Sequence, residues 1–239
     1  MELQALIFDV DGTLAETERD GHRVAFNAAF AEVGLDWVWD AALYGELLEI
    51  TGGKERLHHY IDRYRPDLGP HADAGVLVRR LHAAKTAHYL RLVADGGLPL
   101  RPGVAALIQE ARGAGLRLAI ATTTTPENVT TLLTSTLGPA SIDWFEVIGA
   151  GDIVPRKKPA PDIYTWVLEQ MRLPAAACLA LEDSDNGLRA GLAAGLPTVV
   201  TVSEYTRGHS FAGAAAVLPD LAGTGLARLR EIYSGLWSK

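Results

Sequence analysis

The chain has 239 residues, 48% of them hydrophobic and 21% charged, with a formal net charge of −7. That length fits one large domain or a core with a small second domain, and that composition is ordinary for a soluble globular protein. The acidic balance, without a basic block or basic–aromatic interleaving, argues against nucleic acid as a partner. No apolar run approaches the roughly 18 residues of a membrane span, and the opening MELQALIFDVDG lacks an export signal, so a cytoplasmic location is expected.

In chain order, Leu3 to Asp9 is an apolar run of strand length that ends in the acidic turn DVDGT. From about Thr17 the spacing turns helical (Val24, Ala25, Ala28, Ala29; Leu43, Leu47, Leu48), broken at Gly34, Gly52-Gly53, Pro66 and Gly69-Pro70. Residues 17–96 are therefore expected to be an all-helical insertion, and residues 1–16 with 97–239 a Rossmann-like core. After LPLRPG (98–103) the pattern resets. A helix from Val104 to Arg112 is predicted, then a strand from Leu116 to Ala121 ending in four threonines. Strands are predicted at Phe145 to Ile148, Cys178 to Leu181 and Thr198 to Val202. Helices are predicted at Pro161 to Met171, Asn186 to Ala194 and about Gly225 to Tyr233. The alanine-rich stretch 212–216 reads as ordinary packing. Cys178 is the only cysteine and reads as a buried strand residue, which excludes an internal disulfide. Alternating strands and helices imply a parallel α/β sheet, whose ligands bind beyond the carboxyl ends of the strands.

Reactive residue types gather at those ends. The first strand ends in Asp9-Val10-Asp11, the second in Thr122-Thr123, a later one in Glu182-Asp183, and Lys158 lies in a loop entering a helix. Residues two apart in an extended strand face the same way, so Asp9 and Asp11 are brought together. Carboxylates packed so closely need a cation, and Mg2+ with its oxygen ligands suits them. Asp183 would add a carboxylate and Glu182 an outer contact. A carboxylate can also attack phosphorus to form an aspartyl-phosphate. The transferred group then needs donors, for which Thr122 offers a hydroxyl and a backbone N–H and Lys158 a charge. Thr122 to Thr125 would otherwise be a solvated loop, and Lys157 is read as an exposed surface residue.

DVDGTL (9–14), the strand ending at Thr122, KPAPD (158–162) and LEDSDNG (181–187), in this order, resemble the haloacid dehalogenase superfamily. The resemblance implies Asp9 as nucleophile and Asp11 as general acid and base. It implies Thr122 and Lys158 as phosphate holders. Asp9, Asp183 and the Asp11 carbonyl would be Mg2+ ligands, with Glu182 near the ion. An aspartate at the position of Asp11 places the chain among phosphatases and phosphomutases. The helical insertion resembles the cap of the beta-phosphoglucomutase-like subgroup, which closes over the site and disfavours polymer substrates. ITGGKERL (50–57) is then the candidate specificity loop, with Lys54 and Arg56 able to reach a second anionic group. Glu18 and His22 could touch sugar hydroxyls, although a packed or surface helix position is the reading for His22.

LAETERDGHR (14–23), TGGKER (51–56), LPLRPGV (98–104), ATTTTPENV (121–129) and KKPAPDIY (157–164) are similar to the CbbY group of this subgroup. That similarity implies a phosphatase for xylulose-1,5-bisphosphate, an inhibitor of Rubisco in carbon dioxide fixation by the Calvin cycle. Thr123 joins the substrate-binding set, and Lys54, Arg56 and Arg156 are candidates for a second phosphate. The chain has AETE at 15–18 where many subgroup members have VDTE or VDSE. A phosphosugar mutase and a non-catalytic protein that retains the fold are the alternatives. No obligate protein partner is expected.

Overall fold

The computed structural model describes residues 2–65 and 74–237. The chain divides into two compact units, one formed by Met1–Glu16 with Pro99–Lys239 and one by Thr17–Leu98. Strand β1 (Ala5–Phe8) opens the first unit. The second unit contains a π-helical turn (Glu18–His22) running into α1 (Arg23–Val33), followed by α2 (Ala41–Leu47), α3 (Gly53–Tyr64) and α4 (Ala74–Ala94). The first unit then resumes with α5 (Val104–Gly113), β2 (Arg117–Ala121), α6 (Pro126–Leu137), β3 (Val147–Gly149) and α7 (Asp162–Met171). It ends with β4 (Cys178–Glu182), α8 (Asp185–Ala193), β5 (Thr198–Thr201), β6 (Ala216–Leu218) and α9 (Leu226–Gly235).

The six strands form one sheet in the order β3-β2-β1-β4-β5-β6, and every neighbouring pair is parallel. Strand β1 sits inside it, with Leu6 opposite Leu118 of β2 and Leu179 of β4. All residues of β1 and β4 are buried, as expected when helices cover both faces of a parallel sheet. On one face Ile7, Ala119 and Ala180 pack with Ile163, Tyr164 and Val167 of α7. Small residues on the strands let that helix approach closely.

Two elements escaped the sequence reading. Helix α6 follows the threonine run, with Thr125 as its N-cap and Pro126 at its first position. Strand β6 begins inside the alanine-rich stretch. It is the sheet's edge, three residues long with Val217 exposed, so it carries none of the dense apolar signature of a central strand. The strand expected at Phe145 starts at Val147 instead, because a 3-10 turn occupies Pro139–Trp144.

In the helical unit, Gly34 ends α1 in the left-handed region at φ 82°, where a residue without Cβ is favoured. The predicted breaks at Pro66 and Gly69-Pro70 lie outside the described residues. The core of this unit is aromatic. Trp39 is fully buried among Phe26, Phe30, Tyr44 and Tyr60, with ring centroids 4.6 to 5.9 Å away. Its backbone is held by the Asn27 side chain, which donates to the Trp39 carbonyl at 2.9 Å and accepts from the Trp39 N–H at 2.8 Å. Among the described residues no helix is long and apolar enough to cross a membrane.

Candidate active site

At the carboxyl edge of the sheet the chain after β1 extends the ladder by one bond, from the Asp9 N–H to the Leu181 carbonyl at 3.0 Å. It then reverses, with the Thr13 and Leu14 N–H groups donating to the Val10 carbonyl. Gly12 makes this turn possible at φ 80°. It also makes room, since a Cβ there would lie 2.2 Å from Asp183 Oδ2. Asp183 thus lies directly against the turn. Gly187 plays the same part for Glu182, because a Cβ on it would lie 1.9 Å from Glu182 Oε2. Ser184 caps α8 by accepting from the Gly187 N–H at 3.1 Å.

The three carboxylates of Asp9, Glu182 and Asp183 are buried and present ligand atoms within 4.8 Å of one another. Lys158 enters the cluster from the loop before α7. Its ammonium donates to Asp9 Oδ1 at 2.7 Å, Glu182 Oε1 at 2.6 Å and the Ala121 carbonyl at 2.8 Å. The Lys158-Pro159 peptide is cis. Burial pushes the Asp9 carboxyl up to about 8 against the lowering pull of Lys158, with Glu182 and Asp11 adding to the rise. Burial by itself would lower Lys158, yet the Asp9 and Glu182 carboxylates hold it above the ordinary lysine value.

This donor set fits a divalent cation. Three carboxylates and one ammonium leave a formal charge of minus two, in a place where burial makes uncompensated charge costly. The donors are hard oxygens, the kind that Mg2+ selects. The Asp11 carboxylate is not a member of this cluster.

The structure corrects several details of the sequence reading. The Thr122 N–H is already used, since it donates to the Gly149 carbonyl at 2.9 Å. The sheet ladder runs one residue past β2, so Thr122 keeps only its hydroxyl for a ligand. That hydroxyl accepts from the Thr124 N–H at 3.3 Å. The run is not a solvated loop: Thr122 and Thr124 are buried, and only Thr123 and Thr125 are partly exposed. Lys157 is not an exposed residue either. Its side chain is mostly covered and pairs with Asp152 and the Gly151 carbonyl. Arg156 is exposed and held by both oxygens of Asp162.

Within the helical unit, Glu18 and Arg56 are brought together. The Tyr44 hydroxyl donates to Glu18 Oε2 and accepts from Arg56 Nη1 at 2.9 Å, and Arg56 Nε donates to the Leu47 carbonyl at 3.1 Å. Arg56 is buried rather than on a solvated face. Lys54 sits in the first turn of α3. Of the two positions open to it, packed or surface, His22 takes the packed one, against Tyr89 and 2.9 Å from Lys85.

Two residues of the cluster were missed. The Tyr164 hydroxyl donates to Glu182 Oε1 at 2.5 Å, and its ring lies 5.0 Å from the Lys158 ammonium. Ser203, just past β5, donates to Asp183 Oδ2 at 2.7 Å. Ser203 could have been found by asking what ends β5, since that strand points to the same edge. Tyr164 lies in a helix pattern where an aromatic reads as core.

Residues 3–195 match the model of the haloacid dehalogenase-like hydrolases. The chain is 56% identical over 222 residues to the plasmid-encoded protein CbbY of Cupriavidus necator, covering 92% of this chain and 86% of that protein. It is 51% identical over 232 residues to CbbY of Rhodobacter capsulatus, covering 97% and 100%. Two crystal structures of Rhodobacter sphaeroides CbbY superpose with a TM-score of 0.88 at 47% identity, covering 95% of this chain and 99% of theirs. One contains phosphate, and the other is a mutant in complex with xylulose-1,5-bisphosphate. The chain belongs to the haloacid dehalogenase-like hydrolases and is a phosphatase similar to CbbY.

Proposed function

We propose that this phosphatase removes phosphate from a small sugar phosphate through a covalent phosphate on Asp9, with Mg2+ as cofactor and xylulose-1,5-bisphosphate as substrate. The observation that carries the chemistry is the buried Asp9 carboxylate, held 2.7 Å from Lys158 in one cluster with Glu182 and Asp183. Asp9, Asp183 and the Asp11 carbonyl would hold the ion, with Glu182 behind them. Bound there, Mg2+ neutralises charge between the nucleophile and the phosphoryl oxygens.

The residues divide the work as follows. An Asp9 oxygen attacks phosphorus, forming the Asp9–phosphate bond as the bond to the sugar oxygen breaks. Asp11 gives its proton to that leaving oxygen. Asp11 then takes a proton from water as the water oxygen attacks phosphorus, which frees inorganic phosphate and restores the Asp9 carboxylate. Lys158 and the Thr122 hydroxyl hold the phosphoryl oxygens, with Thr123 beside them. Lys158 also keeps Asp9 oriented while it waits.

The substrate reading rests on the CbbY complex with xylulose-1,5-bisphosphate. Arg56 is assigned to the second phosphate, with Lys54 beside it and Glu18 assigned to sugar hydroxyls. Arg156 is less suited, because Asp162 already occupies its fork.

The test is release of inorganic phosphate from a panel of sugar mono- and bisphosphates with Mg2+, with the sugar product identified. Preference for xylulose-1,5-bisphosphate is expected, and Asp9→Asn should lower kcat at least about a thousandfold. Phosphate release that survives Asp9→Asn sinks the covalent mechanism. Equal turnover of monophosphates sinks the bisphosphate reading, and conversion of glucose 1-phosphate to glucose 6-phosphate would reassign the protein as a mutase.

A further inference from the structure

Arg101 is a buried cation that the phosphatase chemistry does not use. It stands just after the point where the chain re-enters the first unit. Its Nη1 donates to the Gly12 carbonyl, to the Thr201 carbonyl at 2.9 Å and to Thr201 Oγ1 at 3.2 Å. Its Nη2 donates to the Val202 carbonyl at 2.7 Å and the Pro219 carbonyl at 3.1 Å. Its Nε lies 3.2 Å from Glu16 Oε1, and its backbone N–H donates to the Leu14 carbonyl at 2.8 Å.

One rigid guanidinium therefore grips the acidic turn, the end of β5 and the segment after β6. A planar fork with donors in fixed directions sets the separation of the groups it binds, which a flexible ammonium cannot do. The groups it joins flank Asp183. Gly12 lies so close to Asp183 that no Cβ fits between them. On the other flank Ser203, next to Val202, donates to Asp183 Oδ2, and the Ser203 hydroxyl is itself 3.0 Å from Thr206 Oγ1.

We propose that Arg101 is a positioning residue of the phosphatase site: by holding the Gly12 carbonyl and the Thr201-Val202 carbonyls in one fork, it fixes the spacing between the Asp9–Gly12 turn and the Ser203-bound carboxylate of Asp183. Arg101 touches neither substrate nor ion in this account. It acts through Gly12 and Ser203, and the inference rests on the reading of Asp183 as a metal ligand.

The experiment is calorimetric titration of metal-stripped enzyme with Mg2+ alone, together with kcat and KM for the best sugar phosphate. Both are run on the wild type, Arg101→Lys, Ser203→Ala and the double variant. Arg101→Lys keeps the charge and loses the fork. Each single variant is expected to weaken Mg2+ binding about tenfold, the scale seen when groups behind metal ligands are removed. Arg101→Lys should lower kcat about tenfold with KM changed less than about twofold. Ser203→Ala should cost less in the Arg101→Lys background than alone, because both residues act through one loop. Additive losses overturn the proposal. So does an Arg101→Lys enzyme that melts earlier yet binds Mg2+ and turns over like wild type, which is what a stability role alone produces. Should Arg101→Lys not fold, Ser203→Ala decides by itself: unchanged Mg2+ affinity overturns the link to Asp183. A wild type that does not bind Mg2+ overturns the metal reading and this inference with it, a result distinct from variants that bind as wild type does.

Discussion

Glu182 keeps its carboxylate at 1% exposure because two donors meet on one oxygen, the Lys158 ammonium and the Tyr164 hydroxyl. Burial, with the neighbouring Glu182 and Asp9 charges, holds the Tyr164 phenol well above its ordinary value, so it stays a donor. Tyr164→Phe keeps the ring against Lys158 and deletes that one hydrogen bond. It should cost about 1 to 3 kcal/mol of stability, the range for leaving a buried acceptor short of a partner. It should also lower kcat, since Lys158 would lose a fixed counterpart. Urea unfolding and initial rates check both, and a variant as stable and fast as wild type removes Tyr164 from the site. At this scale the sequence was readable where residue chemistry was distinctive. Two aspartates around one residue, a lysine between prolines and a Glu-Asp pair ending a strand have few other uses together. Tyr164 sits in a helical pattern where an aromatic reads as core, and it is core on one side. Ser203 lies just past a strand, where a serine is common in any turn. The Thr122 N–H could not be assigned without knowing that Gly149 lay opposite.

The elements were legible in proportion to their burial. Strands β1, β4 and β5 are buried throughout; β1 and the first four residues of β4 are continuous apolar runs, and β5 is a β-branched stretch, TVVT. Strand β6 is a short exposed edge and did not. In the helical unit the segment DWVWD (36–40) carries a period-two signal: Trp37 and Trp39 are buried while Val38 is 69% exposed. This extended piece between α1 and α2 supplies the largest side chain of that unit's core. Trp39→Ala should cost about 3 to 5 kcal/mol, seen as a lower denaturation midpoint, whereas Trp39→Phe should recover most of the loss. A small effect of Trp39→Ala would mean that the aromatic cluster collapses around the gap.

For the molecule as a whole, the proposed function makes proton and metal compete for the Asp9 carboxylate. Asp9 is raised from 3.8 to about 8 by burial first. A raised carboxyl contributes stability that is complete below its unfolded value and is lost as pH rises through its folded value. Metal-stripped enzyme should therefore melt at lower temperature as pH climbs from 6 to about 9. On that proposal Mg2+ binds the deprotonated form, so its stabilising effect should be larger at pH 8.5 than at pH 6. Thermal melts with and without Mg2+ at both pH values test this, with Asp9→Asn as the comparison in which the pH dependence shrinks. An identical Mg2+ effect at both pH values would remove Asp9 from the metal linkage.

The sheet order has a consequence for synthesis. Strand β1 lies between β2 and β4, and Lys158 reaches back 149 residues to meet Asp9. At ribosomal speeds of roughly 5 to 20 residues per second, Asp9 waits about ten to thirty-five seconds for Asp183 to be made. Until then a nascent chain displays Asp9 and Asp11 without Asp183, and before Lys158 is added it lacks their ammonium as well. On the proposed chemistry, a stalled or truncated product that ends before Asp183 lacks a carboxylate the reaction needs and is expected to leave sugar phosphates intact.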